Sequence, residues 1–205
     1  MSGRIFSRYE ERLALGEIES DDAQRAIALR LDALAEDLEK TKPAGSLLAG
    51  ISDRLLGGLL GRKPNAAPKG LYLHGSVGRG KTMLMDLFFD EVEMAKKVRA
   101  HFHEFMADVH ERIGEARLSV PGDPIPFVAA GIAREASLLC FDEFHVTDIA
   151  DAMILGRLFK GLFDAGVVVV ATSNAEPKNL YKNGLNRQLF LPFIDLITDH
   201  MDVVS

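Results

Sequence analysis

Residues Gly75-Ser76-Val77-Gly78-Arg79-Gly80-Lys81-Thr82 place glycines, a lysine and a hydroxyl at the spacing G-x-x-x-x-G-K-[ST]. Each residue type has a task there. Glycines let the backbone wrap with its N–H groups turned inward, toward phosphate oxygens. A helix opening at Lys81 adds its positive end. Lys81 can then reach the β- and γ-phosphates of a nucleoside triphosphate, and the Thr82 hydroxyl can hold Mg²⁺. The alternative is a glycine-rich turn without ligand. Against it stands the context, because the string lies between an apolar strand and an amphipathic helix, as phosphate binding requires.

A phosphate loop of this kind needs an acid at the end of a buried strand. Leu138-Leu139-Cys140-Phe141-Asp142-Glu143 supplies one. Asp142 would hold Mg²⁺ through its water. Glu143 would orient or deprotonate an attacking water, and the acid pair favours hydrolysis over transfer to a small substrate. Taken alone, the pair could instead cap a helix after a core strand. A second apolar strand, Val167 to Val170, runs into Ala171-Thr172-Ser173-Asn174. In a parallel sheet the carboxyl ends of the strands line the ligand crevice, so Asn174 falls beside the loop, within reach of a γ-phosphate or a water. A polar strand-end turn is the other reading of Asn174.

Further along, Tyr181-Lys182-Asn183-Gly184-Leu185-Asn186-Arg187 reads as the end of a short helix stopped by Gly184. Arg187 is either an arginine finger toward a neighbouring subunit's nucleotide or a solvated cation. His101, His103 and His110, with Glu104 and Glu111, invite a metal reading, since His101 and His103 share a face if both lie on a strand. Structural zinc wants four well-placed ligands and no cysteine helps, so lining the nucleotide side or a partner surface, or packing in the sheet, is favoured.

The elements that must position these groups follow from periodicity. Leu71 to His74, Val98 to Phe102, Leu138 to Phe141 and Val167 to Val170 read as strands. Helices are expected from Lys81 to about Lys97 (with Leu84, Leu87, Phe88 and Ala95 on one face), around Phe105, Val109 and Ile113, and over 126–135 and 148–164. Apolar strands alternating with helices indicate an α/β fold whose parallel sheet is covered on both faces. Ahead of it, Ser20-Asp21-Asp22 opens a helix carrying Ala23, Ile27, Leu31, Leu34 and Leu38. Residues 43–69 read as a linker with a short helix, which divides the chain into an extension, 1–69, and a nucleotide-binding unit, 70–205. Within the linker, Leu47 to Leu60 has a stripe (Ile51, Leu55, Leu56, Leu59) that either packs on the domain or docks on a membrane surface or a partner.

Composition is that of an ordinary globular domain of 205 residues, 47% hydrophobic and 26% charged. No apolar run approaches the roughly 18 residues of a membrane span, and the first residues lack a secretory apolar stretch. One cysteine, Cys140, rules out an intramolecular disulfide and suits a reducing, intracellular setting. The net charge of −6 lacks the basic footprint of a nucleic-acid binder. No N-K-x-D string follows the phosphate loop, which argues against a GTPase.

Four strings carry a resemblance: Gly70-Leu-Tyr-Leu-His-Gly-Ser-Val-Gly-Arg-Gly-Lys-Thr-Met-Leu-Met-Asp-Leu-Phe-Phe89, His101-Phe-His-Glu-Phe-Met106, Leu139-Cys-Phe-Asp-Glu-Phe-His-Val-Thr-Asp-Ile149, and Ala171-Thr-Ser-Asn174 through Leu191-Pro192. From about residue 20 onward the chain resembles the AFG-like ATPases of the AAA+ superfamily. The resemblance implies a five-stranded sheet in the order 5-1-4-3-2, Asn174 as sensor 1 and Arg187 as the finger. It implies a Mg²⁺-dependent ATPase, oligomeric at full length. Such an enzyme would remodel a protein partner in bacterial cell division, in the cytoplasm at the division ring and at the inner-membrane periphery. A nucleotide-gated interaction module and a nucleic-acid loader remain the competing functions. Ser76 stands where the family usually has glycine. The family also continues into a C-terminal lid with a second arginine sensor. A chain closing on Asp202-Val-Val-Ser205, within the fifth strand, is therefore expected to be a fragment cut before the lid, and a monomer.

Overall fold

The computed structural model describes residues 3–40 and 67–205. The linker reading and the apolar stripe of residues 47–60 lie outside the described residues.

Strands β1 (Gly70–His74), β3 (Leu138–Asp142) and β4 (Val168–Ser173) are buried almost throughout, which only a sheet covered on both faces permits. They form the middle of a five-stranded sheet ordered β2-β3-β4-β1-β5. Every neighbouring pair is parallel. The order is the expected 5-1-4-3-2, read from the opposite edge. The edge strands β2 (Lys97–His101) and β5 (Met201–Val204) are the less buried ones. Alternation along each strand sorts the core into two layers. Leu71, Leu73, Leu138, Cys140, Val168 and Val170 face one layer, and Tyr72, Leu139, Phe141, Val169 and Ala171 face the other.

The first layer holds α1 (Arg4–Ala14), α2 (Asp22–Lys40) and α3 (Lys81–Glu91). The second holds α4 (Phe102–Ala116), α5 (Ile125–Glu135), α6 (Ile149–Asp164) and α7 (Leu191–His200). Helix α2 begins as its sequence signals: Asp21 Oδ1 accepts from the Ala23 and Gln24 N–H groups at 2.8 and 3.3 Å, and Ile27, Leu31, Leu34 and Leu38 are buried. Helix α1 has no such signal. It is largely polar, buries only Ile5 and Tyr9, and has no side-chain cap of its own. Its cap comes from α2, where the buried Asp32 accepts from the Ile5 and Phe6 N–H groups at 2.9 and 3.0 Å. A Cβ on Gly3 would stand 2.0 Å from Asp32 Cγ, so the carboxylate occupies the room a side chain would need.

Several boundaries depart from the periodicity. Helix α3 stops at Glu91, not near Lys97, and Ala95 lies beyond it, because Val92 turns extended at ψ 123°. The Lys97 ammonium closes that end, donating to the carbonyls of Phe89 (2.5 Å) and Val92 (3.0 Å), where the helix dipole is negative. Phe102, expected to end a strand, instead opens α4. Helix α5 starts one residue early at Ile125. Asp148 is the cap of α6 and not its first residue, accepting from Ala150 N at 2.6 Å. The short helix expected to end at Gly184 is absent. Two 3₁₀ turns, Pro177–Asn179 and Arg187–Leu189, flank a segment with Tyr181, Asn183 and Asn186 at φ 52°, 66° and 57°. Gly184 is needed for another reason, since a Cβ there would lie 2.3 Å from the Tyr181 ring.

Candidate nucleotide-binding site

The carboxyl ends of β1, β3 and β4 lie side by side, so the three candidate strings meet at one edge of the sheet. After β1 the chain turns on Gly75, Gly78 and Gly80 at φ 150°, 82° and 71°, conformations that side chains rarely adopt. Ser76 is not among the positive-φ residues, so a serine there meets no left-handed backbone strain. A Cβ on Gly75 or Gly78 would project into open space rather than into protein. Lys81, first residue of α3, folds back over this loop. Its ammonium donates to the carbonyls of Gly75 and Ser76, both at 2.8 Å, and to Asn174 Oδ1 at 3.2 Å. Burial pulls the ammonium below the ordinary lysine range, Asp142 opposes that shift, and Arg79 adds to it. A phosphate oxygen is a stronger acceptor than these neutral groups.

Asp142 ends β3 and is buried. Its Oδ1 accepts from Thr82 Oγ1 at 3.0 Å, from the Glu143 N–H at 3.1 Å, and from Thr172 Oγ1 of β4. On the other side Arg99 Nη2 stands 3.5 Å from Asp142 Oδ2, while Arg99 Nε pairs with Asp86 Oδ1 at 2.7 Å. Glu143 sits at φ 54°, a left-handed conformation costing on the order of 1–2 kcal/mol for a side chain of this size. Its neighbours hold it there. Phe144 N–H donates to the Thr172 carbonyl at 2.7 Å, and Ser173 Oγ donates to the Phe144 carbonyl at 2.7 Å. The Phe144 ring packs 4.0 Å from that of Phe102, centroid to centroid. With Asp142 and Phe144 both buried, the residue between them is the one left exposed. The pair is thus not a helix cap; that role belongs to Asp148.

A cavity of about 560 Å³ results, within the range of small-molecule sites. Among its lining residues are Gly78, Lys81, Thr82, Asp142, Glu143 and Asn174. Most of the sequence candidates therefore converge; Gly75 and Ser76 lie outside the lining, though their carbonyls accept from Lys81, and two further groups stand apart. Arg187 is not among the lining residues; its Nη2 donates to the Lys178 carbonyl at 2.6 Å. The histidines do not form one group either. His101 ends β2 and His103 lies on α4, their rings stacked at 5.8 Å, while His110 Nε2 lies 2.7 Å from Asp151 Oδ1. Among the described residues no set of three or more His, Cys, Asp or Glu side chains could hold a metal ion.

The residues present fit the groups expected of them. Thr82 Oγ1 and Asp142 Oδ1, 3.0 Å apart at the cavity wall, are the hard oxygen donors that Mg²⁺ prefers. The glycine turns and Lys81 fit a phosphate chain. Sequence inspection missed Thr172, Arg99 and Asp86, which hold the acid, and Gln24, whose Nε2 donates to the Arg79 carbonyl of the loop at 3.1 Å. Thr172 stood in the string already singled out. Only the pairing of Phe141 with Ala171 puts it beside Asp142.

The family model of the AFG1-like ATPases matches residues 4–205. The chain belongs to that family. It is 43% identical over 202 residues to the cell division protein ZapE of Escherichia coli K12, covering 97% of this chain and 53% of that one. It is 40% identical over 243 residues to lactation elevated protein 1 homolog B of Danio rerio, covering 99% and 48%. The chain thus spans about half the length of the curated relatives it matches. Among solved structures, that of DnaI superposes with TM-score 0.55 at 17% identity, over 93% of this chain and 88% of that one. A DNA replication initiation factor gives 0.56 at 16%, over 93% and 49%. These likenesses bear on the fold alone.

Proposed function

We propose that this AFG1-like chain carries the nucleotide-binding half of an enzyme that hydrolyses ATP to ADP and phosphate with Mg²⁺ and uses the turnover to remodel a protein partner. The observation supporting it most is the convergence of Lys81, Thr82, Asp142, Glu143 and Asn174 on one cavity. In this reading the turns of residues 75–80 wrap the phosphates and Lys81 neutralises them. Thr82 and Asp142 hold Mg²⁺, which when bound draws charge from the phosphate oxygens. Glu143 takes a proton from water at its carboxylate, and Asn174 orients that water or the terminal phosphate. Arg187 lies outside this cavity, so it is assigned to the nucleotide of a neighbouring copy, which makes the working form an oligomer.

The likeness to ZapE supports cell division as the setting and a protein of the division site as the partner. A cytoplasmic location touching the inner membrane goes with that reading. No described helix is long and apolar enough to cross a membrane. Paired substitutions test the chemistry. Lys81→Ala should abolish binding of a fluorescent ATP analogue, whereas Glu143→Gln should bind it as the parent does and lose turnover. Equal turnover in Glu143→Gln and the parent would remove Glu143 from the reaction. It would also favour a module that only switches partner affinity with nucleotide state.

A further inference from the structure

Helix α1 carries arginines at positions 4, 8 and 12, one turn apart on a single face. It runs antiparallel to α3, and its first two arginines pair with acids at the far end of α3. Arg4 bonds Glu93 at 2.9 Å as well as Glu39, and Arg8 bonds Glu91 at 3.0 Å. One turn on, the third rung reaches the beginning of α3, where the phosphate loop opens. Arg12 lines the same cavity as Lys81, Asp142 and Asn174, beside Met83 and Asp86 of α3. Asp86 is already engaged by Arg99.

Two features set Arg12 apart from the other rungs. Its placement is fixed by the way α1 ends: Gly16, at φ 71°, donates to the Leu13 carbonyl, and Glu17 N–H donates to the Arg12 carbonyl, both at 3.0 Å. That pair of bonds is a Schellman closure, which stops the helix beside the loop. Its guanidinium, meanwhile, is underused. Among the described residues its ion-pair partner is Glu17, at 3.9 Å, beyond hydrogen-bond reach. The side chain remains 43% exposed. A cation with free donors, held over a cavity built for an anion, has an evident ligand.

We propose that Arg12 binds the phosphate tail of the nucleotide, supplied in cis by the amino-terminal helix. This rests on the nucleotide reading of the cavity given above. The consequence is that α1 is fastened at its carboxyl end by the ligand, as Asp32 fastens its amino end. Nucleotide occupancy then sets how firmly the first helix is docked. A cation at that end also suits the helix dipole, which would give Arg12 a purely structural role. The test separates the two.

The 205-residue chain and its Arg12→Ala, Arg12→Lys, Arg8→Ala and Lys81→Ala variants are titrated with mant-ATP and mant-ADP in the presence of Mg²⁺. Amide exchange over residues 4–15 is followed with and without nucleotide. Arg12→Ala should weaken mant-ATP binding by about tenfold, the scale of one charge-assisted hydrogen bond, with Arg12→Lys recovering part of it. Arg8→Ala loosens α1 outside the cavity and should stay within about twofold of the parent. Nucleotide should slow exchange in α1 of the parent and leave Arg12→Ala unaffected. Parent-like affinity in Arg12→Ala, or an equal loss in Arg8→Ala, overturns the proposal while leaving the site itself standing. If Lys81→Ala binds as well as the parent, the nucleotide reading of the cavity falls, and this proposal with it.

Discussion

Replacing Thr172 by valine keeps the shape of a side chain that is only 2% exposed and removes one hydroxyl. That hydroxyl donates to Asp142 Oδ1 and lies 3.2 Å from the Glu143 nitrogen. The Glu143 N–H keeps a second acceptor, Asp142 Oδ1 at 3.1 Å, so its loss is largely made good. The carboxylate's loss is not, because Asp142 is buried and valine offers no donor. Hydrogen bonds to charged groups are worth about 1.5–3 kcal/mol, so a destabilisation of about 2 kcal/mol is expected. For a chain of this size that corresponds to a melting temperature lower by about 4–8 °C.

Function should fall in a particular way. The valine withdraws one of the contacts that hold the left-handed turn at Glu143, while the loop and Lys81 are untouched. Turnover should therefore drop more than nucleotide affinity. Thermal unfolding of Thr172→Val beside Thr172→Ser, which retains the hydroxyl and gives up a methyl group, isolates the bond from the packing. If both variants melt together, within about 1 °C of the parent, the hydroxyl does not hold the acid and the account of how Asp142 and Glu143 are placed is wrong.

Asp32→Ala removes the acceptor of two N–H groups at the start of α1 and should cost about 1–2 kcal/mol in urea unfolding, with α1 exchanging first. Gly3→Ala should do similar harm by displacing the same carboxylate. Alkaline pH gives a third test. Burial pushes both the Cys140 thiol and the Tyr72 phenol up to about 12, from 9.0 and 10.0. Both groups stay neutral in the fold and ionise when it opens. Their contribution is complete below pH 9 and is lost as the pH climbs toward 12, so the urea midpoint should decline across that window. Cys140→Ala should delay the onset, and native Cys140 should resist thiol reagents that label it after unfolding.

How much of this was visible in the chain depends on whether a feature needs one segment or two. The phosphate loop is a single string: its glycines, Lys81 and Thr82 are adjacent, and the turns they adopt are set locally. The apolar strands announce burial on both faces, and with the family resemblance the sheet order follows. Helix boundaries were less accessible, because the end of α3 is set by Lys97 bonding to Phe89 and Val92, a contact beyond helical spacing. The segment 177–190 misled for a related reason. Gly184 looks like a helix stop, yet its smallness serves the ring of Tyr181.

Helix α1 shows the harder case. Residues 4 to 14 space Ile5, Tyr9 and Leu13 as a helix would, but they carry no cap, since that is Asp32, on another helix and far along the chain. Once α2 supplies that cap, α1 must lie along α3, and its evenly spaced arginines are dealt out in order: two to acids at the far end, the third to the cavity. Position 12 acquires a meaning only through position 32. A nucleotide that engages Arg12 would then be felt at Asp32 as added stability of the α1–α2 pair. Stabilisation of Asp32→Ala by nucleotide should accordingly exceed that of Arg12→Ala in the same melt.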